Sequence, residues 1–456
     1  SRIEQLSALT LTTHEMKTDP RLAELLEAAE AENSDGPWHA ANLREMRRSW
    51  VHANAVDADL VDATARACSA CEMVWREARP ENDYARVLPY LEEVLNLSRQ
   101  AAAAKAEALG RTPYEALLDQ YEPNCSTERI DALFADLSAF LPDFLETALS
   151  RQADRGVGEL PEGPFPVDKQ RGLGERLMRT LGFDFDAGRL DVSLHPFCGG
   201  VPGDVRITTR YTEDDFTQSL MGVLHETGHA LYEMGLPRDW RYQPVGQARG
   251  MALHESQSLL IEMQACRSRE YLKFAAPLMR ETFGGSGDAW EADNLYRLYT
   301  RVDRSFIRVD ADEVTYPAHV ILRYRLESAL IAGDMKLVDL PGAWNDGMED
   351  LLGVRPPEDR LGCLQDIHWY DGAWGYFPTY TMGAMAAAQL FAAAKEARPE
   401  IPEGISKGDF SPLVGWMREN LHTKASSGST DELMQAATGK PLGTEAFKTH
   451  LQTRYG

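Results

Sequence analysis

Apolar residues recur at helical spacing along most of this chain. They define amphipathic stretches that are rich in Ala and Leu and poor in β-branched residues, which favours helix. The predicted helices are 19–31, 38–53, 57–78, 84–109, 126–151, 288–307, 317–332 and 385–397. No Ser/Gly-rich linker, charge block or short repeat divides them. The pattern therefore predicts a mainly α protein, a single large helical body that forms one domain over residues 1–456.

In one segment, 204–211, apolar and polar residues alternate, which is typical of a β-strand. Val205 and Ile207 point to one side of the predicted strand, while Arg206 and Thr208 point to the other. The segment lies just before a further helical run. We expect an edge strand at this point, suited to hydrogen-bonding an extended peptide.

The helical run that follows has its own start and stop signals. Thr212 and Asp215 predict a capping box at its start, with Asp in place of the usual Glu, and Gly235 predicts its end. Gly222 and Gly228 lie inside the run and lower its helix propensity. They suggest that another backbone packs closely there, or that room is needed for an ion and a substrate.

The same run contains HETGH at 225–229. Residues four apart lie on one face of a helix, so His225 and His229 can both direct an imidazole at one metal ion. Glu226 lies beside them, where a general base is required. The spacing predicts a hydrolytic metal site, for which zinc is the usual ion.

Zinc held by two histidines needs a third protein ligand and leaves a position for water. A third histidine further along the same helix is excluded, because Gly235 occupies its position. The next helical run begins at Met251 and has Glu255 near its start, which makes Glu255 the best candidate. His254 is a competing ligand, and Glu262 is a candidate partner for one of the ligand histidines.

Composition narrows the function classes. Acidic residues outnumber basic ones 71 to 47, which gives a net charge of -24 and a pI near 4.9 and argues against nucleic acid as a partner. No apolar run approaches the roughly 18 residues that a membrane span needs. Six Cys in so long a chain do not form a disulfide framework. We expect a cytoplasmic protein with reduced thiols and no membrane partner.

Four further motifs flank the metal-binding residues, and HESQ at 254–257 follows HETGH. They are HPF at 195–197, DVRIT at 204–208, IRVDAD at 307–312 and GCLQDIHW at 362–369. In all of these motifs and in their order, the sequence resembles the M32 family of metallocarboxypeptidases. The likeness extends from YEP at 121–123 to GYFPTY at 375–380 and so covers essentially the whole chain.

The resemblance implies a helical fold of the neurolysin and angiotensin-converting enzyme type, with a deep substrate groove and a small β-sheet near the metal site. It implies an enzyme that removes single C-terminal residues from peptides with broad preference. Its ligand set would be His225, His229 and Glu255, holding zinc (Zn2+), for which cobalt (Co2+) can substitute. It also implies a homodimer, and a chain that lacks the N-terminal helix of typical members.

A carboxypeptidase must bind the free C-terminal carboxylate of its peptide, and the planar fork of Arg suits this task. The resemblance makes Arg308 of IRVDAD the first candidate, with His195 of HPF as a helper. Arg206 of DVRIT is the rival. Asp366 and His368 are supporting residues expected to orient this wall of the site.

Other residues of the motifs have less defined roles. The resemblance places Tyr376 and Tyr380 at the substrate groove, where either is a candidate donor to the oxyanion, although both also fit as core aromatics. Asp204, His254 and Gln257 are supporting residues.

Two alternatives stay open from the sequence. An oligopeptidase or peptidyl-dipeptidase shares the HExxH and Glu arrangement on a related helical fold. A catalytically silent peptide-binding protein would lack a ligand or the base, and this chain lacks neither.

Overall fold

The computed structural model describes residues 2–32, 36–193 and 196–456. Its α-helices, in chain order, are α1 (Arg2–Lys17), α2 (Arg21–Ala31), α3 (Pro37–Asn54), α4 (Ala58–Glu81), α5 (Tyr84–Leu109), α6 (Pro113–Leu118), α7 (Thr127–Arg155), α8 (Val167–Leu181), α9 (Phe216–Gly235), α10 (Met251–Leu259), α11 (Arg269–Phe283), α12 (Ala292–Tyr299), α13 (Tyr316–Ala332), α14 (Leu340–Leu352), α15 (Pro378–Ala397), α16 (Ile401–Ser406), α17 (Ser411–Asn420), α18 (Thr430–Thr438) and α19 (Glu445–Tyr455). The predicted mainly α class is confirmed. Among the described residues, no helix combines the length and the apolar character that a membrane crossing requires.

Most predicted helices are found, and α5 has the predicted bounds. The prediction of one helix over 288–307 is wrong, because a 3₁₀ turn at Asp288–Trp290 precedes α12, which ends at Tyr299. Gln152 of α7 supplies the physical reason. Its side-chain amide donates to the carbonyl of Val302 and its oxygen accepts from the amide of Val302, both at 2.8 Å. The backbone there has partners without a helix.

The chain folds into two compact units. Unit 1 comprises Ser1–Pro142, Arg304–Ala311 and Thr315–Thr381, and unit 2 comprises Asp143–Asp303, Asp312–Val314 and Met382–Gly456. Each unit is therefore assembled from three separate chain segments. The single peptidase domain over residues 1–456 stays a prediction.

Unit 2 contains a three-stranded sheet of β1 (Gly188–Val192), β2 (Phe197–Val201) and β3 (Asp204–Thr209), in the order β1-β3-β2. β3 runs parallel to β1 and antiparallel to β2. The predicted strand at 204–211 is therefore found, but its assignment as an edge strand is wrong. Because β3 has a hydrogen-bonded neighbour on each side, its backbone has no free edge for a peptide.

The sheet packs against α9. Val205 and Ile207 of β3 and Leu190 of β1 share a buried cluster with Val223 and Ala230 of α9. These contacts fix the rotation of α9 about its axis and so the directions of the side chains that it carries.

A buried carboxylate ties elements of unit 1 together. Asp119 Oδ2 lies 2.8 Å from His52 Nε2 and 3.4 Å from Arg48 Nη1, and Oδ1 accepts from the backbone amide of Asn124 at 2.7 Å. Burial acts to raise the pKa of Asp119, but these partners outweigh it and lower the pKa to about 2. Asp119 is therefore ionised above about pH 2.

Candidate metal centre

Helix α9 carries the HETGH segment. Its N-cap is Asp215, whose Oδ1 accepts from the backbone amide of Thr217 at 2.7 Å. Thr212 donates through Oγ1 to the backbone carbonyl of Asp215 at 3.2 Å. The predicted capping box beginning at Thr212 is wrong, since Asp215 is itself the cap, whereas the predicted end at Gly235 is confirmed.

The two glycines of α9 have different surroundings. A Cβ placed on Gly228 would lie 2.4 Å from the carbonyl O of Gln257 and 2.6 Å from Cα of Ser258. A Cβ on Gly222 would meet only Oγ1 of Thr209, at 3.9 Å. Of the two predicted reasons for the glycines, a close backbone is confirmed at Gly228, whereas no atom of another backbone lies within 4 Å at Gly222, where the need for room stays a prediction. Without a side chain at Gly228, α10 approaches α9 to backbone contact.

Helix α10 begins at Met251, as predicted, and carries Glu255 to the two histidines. Glu255 Oε2 lies 3.5 Å from His229 Nε2 and 4.0 Å from His225 Nε2. One ligand atom from each residue lies within 4.8 Å of the other two. Two imidazoles and one buried carboxylate that converge in this way fit a single divalent ion with one position left for water.

The Nδ1 atom of His225 is engaged on the side away from Glu255. It lies 2.9 Å from Glu262 Oε2, and Glu262 Oε1 accepts from Arg267 Nη2 at 2.6 Å. Glu262 thus contacts a candidate ligand histidine, as expected for it from the sequence. With Nδ1 bonded to a carboxylate, Nε2 is the ring nitrogen of His225 that can bind an ion.

His229 has a different support. Its Nδ1 lies 2.7 Å from Nδ1 of His254, and His254 Nε2 lies 2.8 Å from Glu233 Oε1. One of the two Nδ1 atoms must donate and the other must accept. His254 therefore lies behind a candidate ligand, away from the convergent atoms. Of the two candidates left open by the sequence, the geometry favours Glu255 as the third ligand.

Burial and the neighbouring carboxylates shift the pKa values of three groups at this site. Burial acts to lower the pKa of His225, but the hydrogen bond to the Glu262 carboxylate and the charge of Glu255 outweigh it and raise that pKa to about 10. The pKa of His229 is lowered to about 4, chiefly by burial. Burial is also the main cause that raises the pKa of Glu226 to about 7, and the charge of His225 opposes it. Glu226 is thus a buried carboxyl suited to exchanging a proton.

A second cluster of candidate residues lies in unit 1. Arg308 and Arg323 share one carboxylate, with Arg308 Nη2 2.8 Å from Asp366 Oδ1 and Arg323 Nη2 2.6 Å from Oδ2. Arg308 Nη1 also donates to the hydroxyl of Tyr316 at 2.9 Å. Burial acts to raise the pKa of Asp366, but the two guanidinium groups hold it far below its usual range. Two cations share one anion, so the cluster has one positive charge in excess.

His368 and Tyr380 adjoin this cluster. His368 Nε2 lies 3.0 Å from the Tyr380 hydroxyl, and the guanidinium carbon of Arg308 lies 4.8 Å from the centre of the Tyr380 ring. The ring of Tyr376 packs against His368 with centroids 5.6 Å apart. Burial, reinforced by the charge of Arg308, lowers the pKa of His368 to about 3. The neutral imidazole leaves the excess charge of the cluster unchanged.

The remaining predicted residues lie elsewhere. Arg206 donates to Asp204 on the same strand, with Nη2 2.7 Å from Oδ2, and both side chains are about half exposed. The side-chain amide of Gln257 donates to Oγ of Ser256 at 2.8 Å, and its oxygen lies 2.9 Å from His422 Nε2. His195 lies outside the described residues.

Several residues of these two clusters were not predicted from the sequence. Arg323 is the one with a readable signal, since it follows Val320-Ile321-Leu322 within α13 and is fully buried there. An Arg within an apolar helical run needs an anion or a ligand. Glu233 and Arg267 have ordinary surroundings in the sequence, so only the fold reveals their contacts.

A helix bearing HExxH, with a carboxylate brought close from the next helix, is typical of metallopeptidases whose metal is held by two histidines and one glutamate. The chain also matches, over residues 1–455, the family model described as carboxypeptidase Taq (M32) metallopeptidase. It belongs to this family and is a metallocarboxypeptidase with a divalent metal and peptide substrates.

The chain is similar to several carboxypeptidases over most of their length. Thermostable carboxypeptidase 1 of Thermus thermophilus is 38% identical over 473 residues, which cover 100% of this chain and 91% of that protein. Carboxypeptidase 1 of Bacillus subtilis is 35% identical over 390 residues, which cover 85% of this chain and 77% of that protein. Among solved structures, Trypanosoma cruzi metallocarboxypeptidase 1 has a TM-score of 0.96 and 42% identity. The match covers 99% of this chain and 91% of that protein. An M32 carboxypeptidase from Deinococcus radiodurans R1 has a TM-score of 0.92 and 36% identity, covering 100% and 91%.

Proposed function

We propose that this enzyme removes single C-terminal residues from peptides with broad preference, using zinc held by His225, His229 and Glu255. The observation that carries the ligand assignment is the convergence of two Nε2 atoms and one carboxylate oxygen within 4.8 Å. Both Nδ1 atoms are bonded elsewhere, which leaves Nε2 for the ion. Nitrogen and carboxylate donors with an open position suit zinc, and cobalt can take the same donors.

When bound, the ion supplies Lewis acidity to the scissile carbonyl and makes a water molecule nucleophilic near neutral pH. Glu226 serves as the general base that accepts a proton from that water. The same carboxyl then gives the proton to the leaving amine nitrogen. Glu226 follows the ligand His225 directly in α9 and is 7% exposed, so bulk water does not compete freely for its proton.

For the substrate's terminal carboxylate we propose Arg308, with His195 as helper. The role of Arg308 is supported by the excess positive charge of the cluster that it forms with Arg323 and Asp366, since a buried unbalanced charge calls for an anion. Arg206 has weaker support, because Asp204 already engages it at the surface. Tyr376 and Tyr380 are candidate donors to the oxyanion, a role taken from the family resemblance.

The base is tested by Glu226→Gln, which keeps the size of the side chain and removes its proton-accepting oxygen. We expect zinc bound at the wild-type stoichiometry and kcat reduced by at least about a hundredfold. Peptidase activity at the wild-type level in this variant would overturn the assignment. Loss of zinc would show instead that Glu226 is needed to build the site.

Product analysis on a peptide with a blocked N-terminus tests the reaction. Release of one free amino acid per step supports the carboxypeptidase, and a panel of C-terminal residues measures its preference. Release of dipeptides or internal fragments would favour the oligopeptidase or peptidyl-dipeptidase. Zinc content is measured on the same protein as isolated.

A homodimer and a cytoplasmic location complete the proposal. The six cysteines are free thiols, which supports a reducing compartment. The dimer rests on the family resemblance alone. Light scattering coupled to size-exclusion chromatography measures it, and a mass equal to one chain at micromolar concentration would contradict it.

A further inference from the structure

The last helix of the chain contacts the metal centre's supporting segment. Residues Leu260–Ala265, which follow α10, form a π-helical turn that contains Glu262. From α19, Arg454 Nη1 donates to the carbonyl of Met263 at 2.5 Å and Nη2 donates to the carbonyl of Gln264 at 3.2 Å. One guanidinium thus binds the two backbone carbonyls that directly follow Glu262.

Such carbonyls need donors from outside their own helix, because the last turn of a helix lacks intrahelical partners for them. A π-helical turn is also rare and is often found at functional sites. Here the amide of Cys266 donates to the carbonyl of Ile261 at 2.8 Å, the five-residue spacing of a π turn. Arg454 therefore stabilises a backbone conformation that helix propensity alone does not favour.

Arg454 is held in place by a second buried carboxylate. Its Nη1 lies 2.8 Å from Glu313 Oε2, which also accepts from the hydroxyl of Tyr455 at 2.6 Å. Glu313 Oε1 lies 2.8 Å from His450 Nε2. The side chains of Arg454 and Glu313 are 9% and 3% exposed. Three residues of α19 meet at one anion, so the helix has a fixed position against the π turn.

The π turn in turn fixes the support of a candidate ligand. Glu262 contacts Nδ1 of His225 with one oxygen and Arg267 with the other. A shift of this turn would move the carboxylate away from His225, and a ligand histidine depends on such a partner for its orientation.

We propose that Arg454 is a positioning residue of the metal centre, which holds the π turn so that Glu262 orients His225. The inference rests on the proposed ligand role of His225. It gives the C-terminal helix, which carries none of the proposed ligands, a measurable share in metal affinity.

The first test is Arg454→Met, which keeps most of the side-chain volume and removes the donors. Zinc affinity is measured by competition with a chelator, and unfolding is followed separately on the metal-free protein. We expect about tenfold weaker zinc binding, the lower end of the effect of a ligand's supporting partner. The matched control is Gln452→Met, an exposed position on the same helix, for which both quantities stay at wild-type values.

A double-mutant cycle with Glu262→Gln makes the test specific. If Arg454 acts through Glu262, Arg454→Met weakens zinc binding less than about twofold once Glu262 is changed, because both variants remove one interaction. Full additivity would overturn the inference, as would an unchanged zinc affinity in Arg454→Met accompanied by lower stability.

Two further variants keep the outcome readable. If Arg454→Met does not fold, Arg454→Lys retains the charge beside Glu313 but lacks the fork that reaches two carbonyls, so an intermediate loss of affinity is expected. His225→Ala separates the two proposals. Zinc lost in His225→Ala but unchanged in both Arg454 variants rejects only the inference, whereas zinc retained in His225→Ala rejects the ligand set itself.

Discussion

Replacing Gly228 by Ala puts one methyl group between the two helices that carry the candidate ligands. That Cβ would lie 2.4 Å from the carbonyl O of Gln257, 2.6 Å from Cα of Ser258 and 2.9 Å from the carbonyl C of Gln257. All three atoms belong to the backbone of α10, so no side-chain rotation relieves the contact. Because non-bonded heavy atoms are best separated by about 3.5 Å, α9 and α10 must move apart by about 1 Å.

Two opposing effects set the change in stability. Overpacking of this kind costs about 1–3 kcal/mol, and the better helix propensity of Ala returns about 1 kcal/mol. The net loss of stability is therefore modest, about 0–2 kcal/mol. Metal affinity is more sensitive, because His229 lies on α9 and Glu255 on α10. A displacement of about 1 Å exceeds the roughly 0.2 Å tolerance of ligand distances, and we expect zinc binding at least about tenfold weaker.

The assay is zinc affinity by chelator competition, combined with thermal unfolding of the metal-free protein. Gly222→Ala, in the same helix, is the control. Its Cβ would meet only Oγ1 of Thr209 at 3.9 Å, so we expect unchanged affinity and a gain of up to about 1 kcal/mol from helix propensity. Equal zinc affinities for the two variants would refute the claim that backbone contact at Gly228 sets the ligand geometry.

Three further predictions follow from the same structure. A Cβ on Gly383 would lie 2.7 Å from Cβ and Cγ of Glu255, so Gly383→Ala should weaken zinc binding in the same competition assay. Arg308→Met should lower kcat/KM for a blocked peptide by about tenfold to a hundredfold, the loss of a charge-assisted hydrogen bond, with zinc affinity unchanged. The pKa of Asp119 is about 2 in the fold and about 3.9 in the unfolded chain, so its contribution is fully present above pH 4 and lost as the pH falls through 2. Asp119→Asn should therefore cost about 2 kcal/mol in urea unfolding at pH 7, and a difference as large near pH 2 would contradict this.

The HETGH helix and its two candidate histidine ligands were predictable from the spacing of residues within that segment. His225 and His229 share a helix face whatever the rest of the chain does, and Gly235 ends the helix where expected. The alternation at 204–209 likewise shows a strand, but its neighbours are set by pairing with β1 and β2, which periodicity does not encode. The edge-strand assignment failed for that reason.

Contacts between residues distant in the sequence were beyond prediction. Arg454 reaches a turn that lies almost two hundred residues earlier in the chain, and nothing near it in the sequence marks this contact. Glu233 is similar, since the sequence around it is that of an ordinary polar helix residue and only the folded structure shows its contact with His254. Arg323 differs, because its apolar surroundings in α13 already indicate a buried charge.

The helical run from Met251 to Ala265 supplies the residues that contact the two candidate ligand histidines directly. Near its start, Glu255 approaches Nε2 of both histidines and His254 lies behind His229. Further along, Glu262 lies behind His225. One helical run can reach both ends of the five-residue HETGH motif only if it crosses the helix of that motif closely, and the closest backbone contact is at Gly228. Nδ1 of His225 contacts a carboxylate and Nδ1 of His229 contacts an imidazole, so the two candidate ligands have different supports although both belong to one motif.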